Sequence, residues 1–151
     1  MFPLRGALVR MVNDCKQMPS ITDAHCITHD ESNADQNMIY VVPRGKDRLL
    51  LGGIAEPNEW DTNINLTNCA AVRDILERCR RFMLVLRRAK FHVSPVSVGL
   101  RPARSRNVRL ECEPAHPIIH NYGHGGSGFS LSWGCAEEVA DLVRTITVQF
   151  N

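Results

Sequence analysis

The chain has 151 residues, 44% of them hydrophobic and 23% charged, with a formal net charge of +2. That is enough for one domain with a real core, burying about two-thirds of the surface its unfolded form exposes. The small net charge gives no reason to expect a nucleic-acid partner, and no apolar run reaches the roughly 20 residues of a membrane span.

In chain order, "MFPLRGALVRMVND" lacks the uninterrupted apolar stretch of a signal peptide, because Arg5 and Arg10 break it. Residues 4–13 place apolar side chains near period two and predict a strand. "HCITH" (25–29) is a short strand, and the polar stretch 29–37 is an exposed loop. "MIYVVP" (38–43) is β-branched and aromatic, and "DRLLLGGIA" (47–55) is apolar and ends at a glycine pair. The turn residues between them predict an antiparallel hairpin. A helix follows, with Val72, Ile75, Leu76, Cys79, Phe82 and Met83 on one face. Thr67 or Asn68 caps its start, and Arg80 and Arg81 suit its negative end. Strands resume at 92–102, 108–112 and 116–122. The last helix runs from about Ser130 to Ile146, with Trp133, Ala136, Ala140, Val143 and Ile146 as its apolar stripe. This order predicts an α+β fold with a mixed, largely antiparallel twisted sheet, because regular βαβ alternation is absent.

Several patterns carry possible chemistry. Gly123, Gly125 and Gly128 form G-x-G-x-x-G between a strand and a helix, the context of a dinucleotide loop. A complete Rossmann unit also needs an acidic residue about 20 positions further on, and the ending "TITVQFN" offers none. A plain glycine turn is the alternative. His116, His120 and His124 recur every four residues. Pro117 and Gly123 argue for a strand there, which sets His116 and His120 roughly 13 Å apart. Zinc–nitrogen bonds are about 2 Å, so these histidines do not share an ion. The six cysteines (15, 26, 69, 79, 112 and 135) show no C-x-x-C spacing. That fits reduced thiols in an intracellular protein better than a zinc or thioredoxin-like site. The arginines at 78–88 and 101–109 are interleaved with Asp74, Glu77 and Glu111, as on a solvated face. Arg101 differs. It ends an apolar strand in "VSVGLRPAR", ahead of Pro102, where it is either a rigid fork for a carboxylate or half of an internal salt bridge. No residue stands out as a nucleophile or as an acid or base.

Three stretches taken together resemble the C-terminal half of the FAD-dependent D-amino-acid oxidases: "YVVPRGKDRLLLGG" (40–53), "VGLRPARSRNVRLE" (98–111) and "IIHNYGHGGSGFSLSWGCAEEVADLV" (118–143). "PLRGALVRMVND" (3–14) resembles the family's entry into the substrate domain. The resemblance implies a substrate-binding domain over residues 1–115. Residues 116–151 then form a strand, glycine loop and helix of the FAD-binding domain, whose Rossmann half precedes residue 1.

The resemblance also implies roles for single residues. Arg101 holds the substrate α-carboxylate, Tyr40 hydrogen-bonds the same group, and the Gly126 carbonyl accepts from the substrate amine. Gly125, Gly126, Ser127, Gly128, Phe129 and Ser130 contact the flavin. The implied reaction takes a D-amino acid, O2 and water to a 2-oxo acid, ammonia and hydrogen peroxide, with the chain inactive and binding FAD weakly when alone. A glycine- or sarcosine-type flavin oxidase and a non-catalytic remnant of the fold are the alternatives. The family implies a peroxisomal or cytoplasmic location, but the ending is not a peroxisomal S-K-L-type tripeptide. There are departures from the family. Gln36 stands where some members carry a second, lid tyrosine. D-aspartate oxidases have an arginine just after "LGG", where this chain has Ile54, Ala55 and Glu56. Glu56 is expected to repel an acidic side chain, so a neutral or basic D-amino acid is the expected substrate. Exposed apolar surface is expected where the FAD-binding half would pack.

Overall fold

The computed structural model describes residues 1–27 and 38–150, with residues 147–150 described by backbone alone. The polar stretch 29–37, including Gln36, lies outside the described residues. The chain forms two compact units, residues 5–100 and residues 1–4 with 101–151.

The strands are β1 (Phe2–Val12), β2 (His25–Ile27), β3 (Ile39–Arg44), β4 (Arg48–Gly52), β5 (Glu56–Pro57), β6 (Phe91–Ala103), β7 (Arg109–Cys112) and β8 (Ile119–Tyr122). The helices are α1 (Ala70–Phe82) and α2 (Gly128–Phe150), with short 3-10 turns at Leu84–Arg88 and Gly125–Ser127. One sheet runs β2-β3-β4-β1-β5, with β6 also paired to β1, and β7 and β8 form a second sheet. The expected hairpin is β3–β4, antiparallel, with Val41 opposite Leu51 and Arg44 opposite Arg48. Its turn places Gly45 at φ +68°, a conformation that glycine adopts without steric cost. The expected α+β class holds.

The core belongs to the 5–100 unit, and strand alternation builds it. In β1 the odd residues Ala7, Val9 and Met11 are buried. They join Ile39 and Val41 of β3 and Leu49 and Leu51 of β4 on one sheet face. Helix α1 covers that face with Val72, Ile75, Leu76 and Cys79, the predicted stripe. Each such aliphatic side chain contributes about 1.5–3 kcal/mol by leaving water. Phe82 ends α1 exposed, while Met83, just past the helix, packs partly buried against the core, so of the predicted stripe only Phe82 departs.

The expected cap is also corrected. The N-cap position is Cys69, and its side chain makes no capping bond. Asn65 and Asn68 instead build the turn ahead of the helix. Asn65 Oδ1 accepts from Thr67 N at 2.8 Å, and Asn68 Oδ1 accepts from Asn65 N at 2.7 Å. The asparagines satisfy the approach to the helix, not its first turn.

Within the other unit, α2 packs on β7 and β8. Its half-buried residues include Gly128, Cys135, Val139, Leu142 and Ile146. Of the expected stripe Ile146 is half-buried, but Trp133, Ala136, Ala140 and Val143 are exposed, and Trp133 keeps 87% of its surface. Among the described residues no helix is long and apolar enough to cross a membrane.

Candidate active site

The candidate site within residues 101–151 starts where β6 ends. Ala103 pairs with His124 in an isolated antiparallel bridge. That bridge brings the Arg101–Ala103 backbone beside the glycine loop. Gly123 at φ +87° and Gly125 at φ +54° turn the chain from β8 toward α2. Both angles are ones that side-chain-bearing residues rarely adopt. Space requires glycine at 123 as well. A Cβ there would lie 2.4 Å from Arg104 Cδ, so the stem of Arg104 passes through the place a side chain would occupy. The Arg104 guanidinium then stacks over the Tyr122 ring at 5.5 Å.

Arg101 runs along the same loop. A Cβ built on Gly126 would sit 3.5 Å from Arg101 Cδ and 3.7 Å from its Nε. The Arg101 stem therefore passes at ordinary van der Waals distance from where a side chain at residue 126 would begin. Gly126 and Ser127 are exposed, as are Phe129 and Ser130, while Gly125 and Gly128 are half-buried. Ser127 N donates to His124 O at 3.0 Å, closing the turn before α2. No side chain caps this turn, and neither it nor the first turn of α2 carries an acidic residue. N–H groups at such a helix start lack intrahelical partners and favour an acceptor or an anion.

Two features of the loop were not singled out in the sequence. His124 Nε2 lies 3.4 Å from Cys135 Sγ, tying the loop to the packed face of α2. Arg104, read from sequence as part of a solvated face, fills the Gly123 niche. Three glycines around an arginine-rich strand end could have signalled a side chain laid over bare backbone.

The remaining loop histidines have separate partners. His116 Nδ1 contacts Pro114 O at 3.0 Å. His120 Nε2 donates to Glu113 Oε2 at 2.6 Å, and Arg109 Nη2 donates to the same oxygen at 2.7 Å. Arg109 also reaches Glu111 Oε1 at 2.6 Å and the Tyr122 hydroxyl at 3.0 Å. This network braces the β7–β8 hairpin on which the glycine loop stands.

The hydrogen bonds from His120, then Arg109, hold the Glu113 carboxyl below its ordinary value of 4.5. Its folded pKa is depressed, so its contribution to stability is present above pH 4.5 and is lost as pH falls through the lower folded value. Glu113→Gln is therefore expected to flatten the acid limb of the thermal midpoint against pH, measured by circular dichroism. An unchanged limb would show that the network carries no linked stability.

Tyr40, the remaining predicted site residue, belongs to the 5–100 unit. It lies on β3 between the buried Ile39 and Val41, so its side chain leaves the sheet on the face opposite the core. Its cross-strand partner is Gly52. Past the glycine pair, Glu56 receives Arg5 Nε at 2.8 Å, so its charge is offset inside the same unit.

The family profile described as "FAD dependent oxidoreductase" (DAO) matches residues 1–142. The chain belongs to this family. It is 42% identical over 144 residues to a D-amino-acid oxidase of Rubrobacter xylanophilus, covering 93% of this chain and 39% of that protein. It is 34% identical over 156 residues to a D-amino acid oxidase of Dugesia ryukyuensis, covering 98% and 41%. The chain thus spans about two-fifths of the length of these relatives. Among solved structures, a glycine oxidase from Geobacillus kaustophilus superposes with a TM-score of 0.72 at 21% identity, over 95% of this chain and 35% of that one. That likeness establishes a shared fold.

Proposed function

We propose that this chain supplies the substrate-binding part and one flavin-contacting edge of an enzyme that oxidises D-amino acids. The observation that carries this reading is the Arg101 stem passing beside Gly126, in the 3-10 turn ahead of α2, in a chain of this family. Arg101 is the fork for the α-carboxylate, because guanidinium binds carboxylate through two parallel charge-assisted hydrogen bonds. The Gly126 carbonyl accepts from the substrate amine beside it. The family resemblance gives Tyr40 a hydrogen bond to a substrate carboxylate as its role. In this division of labour, residues 1–115 hold substrate and residues 116–151 contact the cofactor.

The loop fits FAD on chemical grounds. Its glycines, Gly126 exposed among them, admit a planar ring close to the backbone, and its uncapped N–H groups suit an acceptor-rich ring edge. Gly125, Gly126, Ser127, Gly128, Phe129 and Ser130 would hold that edge. Bound FAD would supply the hydride acceptor for the substrate α-carbon, with O2 as the final oxidant giving hydrogen peroxide. The protein's own task is to orient the substrate, so no acid or base is required of it. Phe129 is 95% exposed and Trp133 87%, which fits a face meant to be covered by the flavin-binding part of a longer protein.

A neutral or basic D-amino acid is the favoured substrate class. The Glu56 charge is offset by Arg5, so repulsion from Glu56 is not what rejects an acidic side chain. Residues 54–56 instead offer a second carboxylate no cation, and an unmatched carboxylate costs about 1–3 kcal/mol or more. A glycine-type activity is less favoured, since the D-amino-acid oxidases match at 34–42% identity and the glycine oxidase at 21%.

The test is a chimera in which this chain replaces the matching segment of the Rubrobacter xylanophilus oxidase. The expected result is hydrogen peroxide formed with D-alanine and not with L-alanine. A folded, flavin-loaded chimera that is inert toward a panel of D-amino acids would refute the reading.

A further inference from the structure

Tyr40 and Gly52 face each other across the β3–β4 ladder, and such partners point to the same sheet face. The Tyr40 ring occupies the space that a side chain at residue 52 would fill. A Cβ on Gly52 would sit 1.9 Å from Tyr40 Cζ, 2.3 Å from its hydroxyl oxygen and 2.4 Å from Cε2. A Cβ on Gly53 would sit 2.8 Å from both Cε1 and the hydroxyl oxygen. Carbon atoms pack comfortably only at about 3.5–4.0 Å, so a side chain at 52 or 53 and the present ring position exclude each other. The hydroxyl end of the ring lies over both glycines.

The backbone beneath the ring is held by two consecutive residues of α1. Arg78 donates to Met38 O at 3.1 Å and to Gly53 O at 3.3 Å. Asp74 braces Arg78 at 2.6 Å. Cys79 Sγ lies 3.8 Å from both the Tyr40 and the Gly52 carbonyl oxygens. Burial pushes the Cys79 thiol up to about 11, which keeps it a neutral S–H donor to those carbonyls. Gly53 N also donates to Met38 O at 2.9 Å. The ring's floor is thus fixed at Met38, Tyr40, Gly52 and Gly53 together.

An aromatic ring over a cross-strand glycine can simply stabilise a sheet. A device of that kind is indifferent to the phenol hydroxyl. Here the hydroxyl oxygen is among the atoms nearest to both glycine positions, which ties the glycine pair to the polar end of the ring.

We infer that Gly52 and Gly53 are positioning residues for Tyr40: they leave the niche that fixes its phenol, and Arg78 and Cys79 hold the strand ends below. The hydroxyl is thereby presented to a substrate carboxylate from one place. This role rests on the D-amino-acid reading above.

The chain has two tyrosines, so tyrosine isotope-labelled at Cζ gives two NMR signals, which Tyr122→Phe assigns. Gly52→Ala is expected to move the Tyr40 signal and leave that of Tyr122 in place. In the flavin-loaded oxidase chimera, Gly52→Ala is expected to lower kcat/KM for D-alanine about tenfold, the scale of one hydrogen bond to a charged group. Tyr40→Phe should give the same loss, and the double variant no further loss, because the glycine acts through the hydroxyl. If Gly52→Ala does not fold, Gly53→Ala, with its milder approach of 2.8 Å, takes its place. An unmoved Tyr40 signal, or losses that add in the double variant, overturns the inference and leaves the functional reading intact. A folded, flavin-loaded wild-type chimera that is inert toward D-alanine overturns the functional reading and the presenting role with it.

Discussion

Arg101→Ala is expected to lower kcat/KM for D-alanine in the oxidase chimera by about 10²–10⁴-fold, with flavin content and circular dichroism unchanged. The magnitude follows from two charge-assisted hydrogen bonds at about 1.5–3 kcal/mol each, converted at 1.36 kcal/mol per factor of ten. Geometry makes the residue hard to replace. Its stem passes beside Gly126, and Pro102 follows directly, so the fork is set by a constrained strand end. Arg101→Lys keeps the charge and loses the planar fork, so it should recover only a small part of the activity. A wild-type-like KM in a folded Arg101→Ala protein would remove the fork from the mechanism, because no other cation has been assigned to the carboxylate. A loss shared equally by D-alanine and by flavin retention would instead mark Arg101 as a structural residue of the loop.

The parts of this fold that were legible in sequence are those with a single answer. The β3–β4 hairpin combines two β-branched or apolar runs with a glycine turn, and α1 has one apolar face and one charged face. The helix α2 was legible as a helix and not as to its packed face. It carries apolar residues at Cys135, Val139, Leu142 and Ile146 and again at Trp133, Ala136, Ala140 and Val143. Periodicity finds both stripes, and only the β7–β8 sheet decides which is covered in this chain. The glycine loop was legible as a loop. That Arg101 and Arg104 lie over its bare backbone depends on the Ala103–His124 bridge, a pairing across a hairpin that no local pattern encodes.

Arg5 is the clearest case of a residue that sequence misread, and it carries the second large effect. From sequence it was only a charge interrupting an apolar segment. In the structure it occupies the inward register of β1, in line with Ala7, Val9 and Met11. Its side chain keeps 8% of its surface exposed. It donates to Glu56 Oε2 at 2.8 Å and to Asp61 O at 2.7 Å, and it lies 3.7 Å from Glu59. These partners are more than 50 positions away in sequence, which is why no motif announced them. The bond to Glu56 raises the guanidinium further above its ordinary range, so Arg5 stays charged at any working pH.

Arg5→Ala strands the Glu56 carboxylate and the Asp61 carbonyl and empties a buried position. Breaking such a pair by removing one partner costs about 3–5 kcal/mol when both charges are buried. Glu56 keeps 30% of its side-chain surface, and water can resolvate it in part, so about 2–4 kcal/mol is expected here. At roughly 2–4 °C per kcal/mol for a chain of this size, the thermal midpoint should fall by about 5–15 °C. Glu56→Gln keeps an acceptor for Nε and should cost less than half as much. Replacing both partners together, Arg5→Met with Glu56→Leu, should return most of the loss, since the cost of Arg5→Ala lies in the unpaired group and not in the missing attraction. Urea and thermal unfolding of the three variants decide it. If the double replacement is as unstable as Arg5→Ala, the pair's own attraction holds β1 to the 56–61 segment, and this account of Arg5 fails.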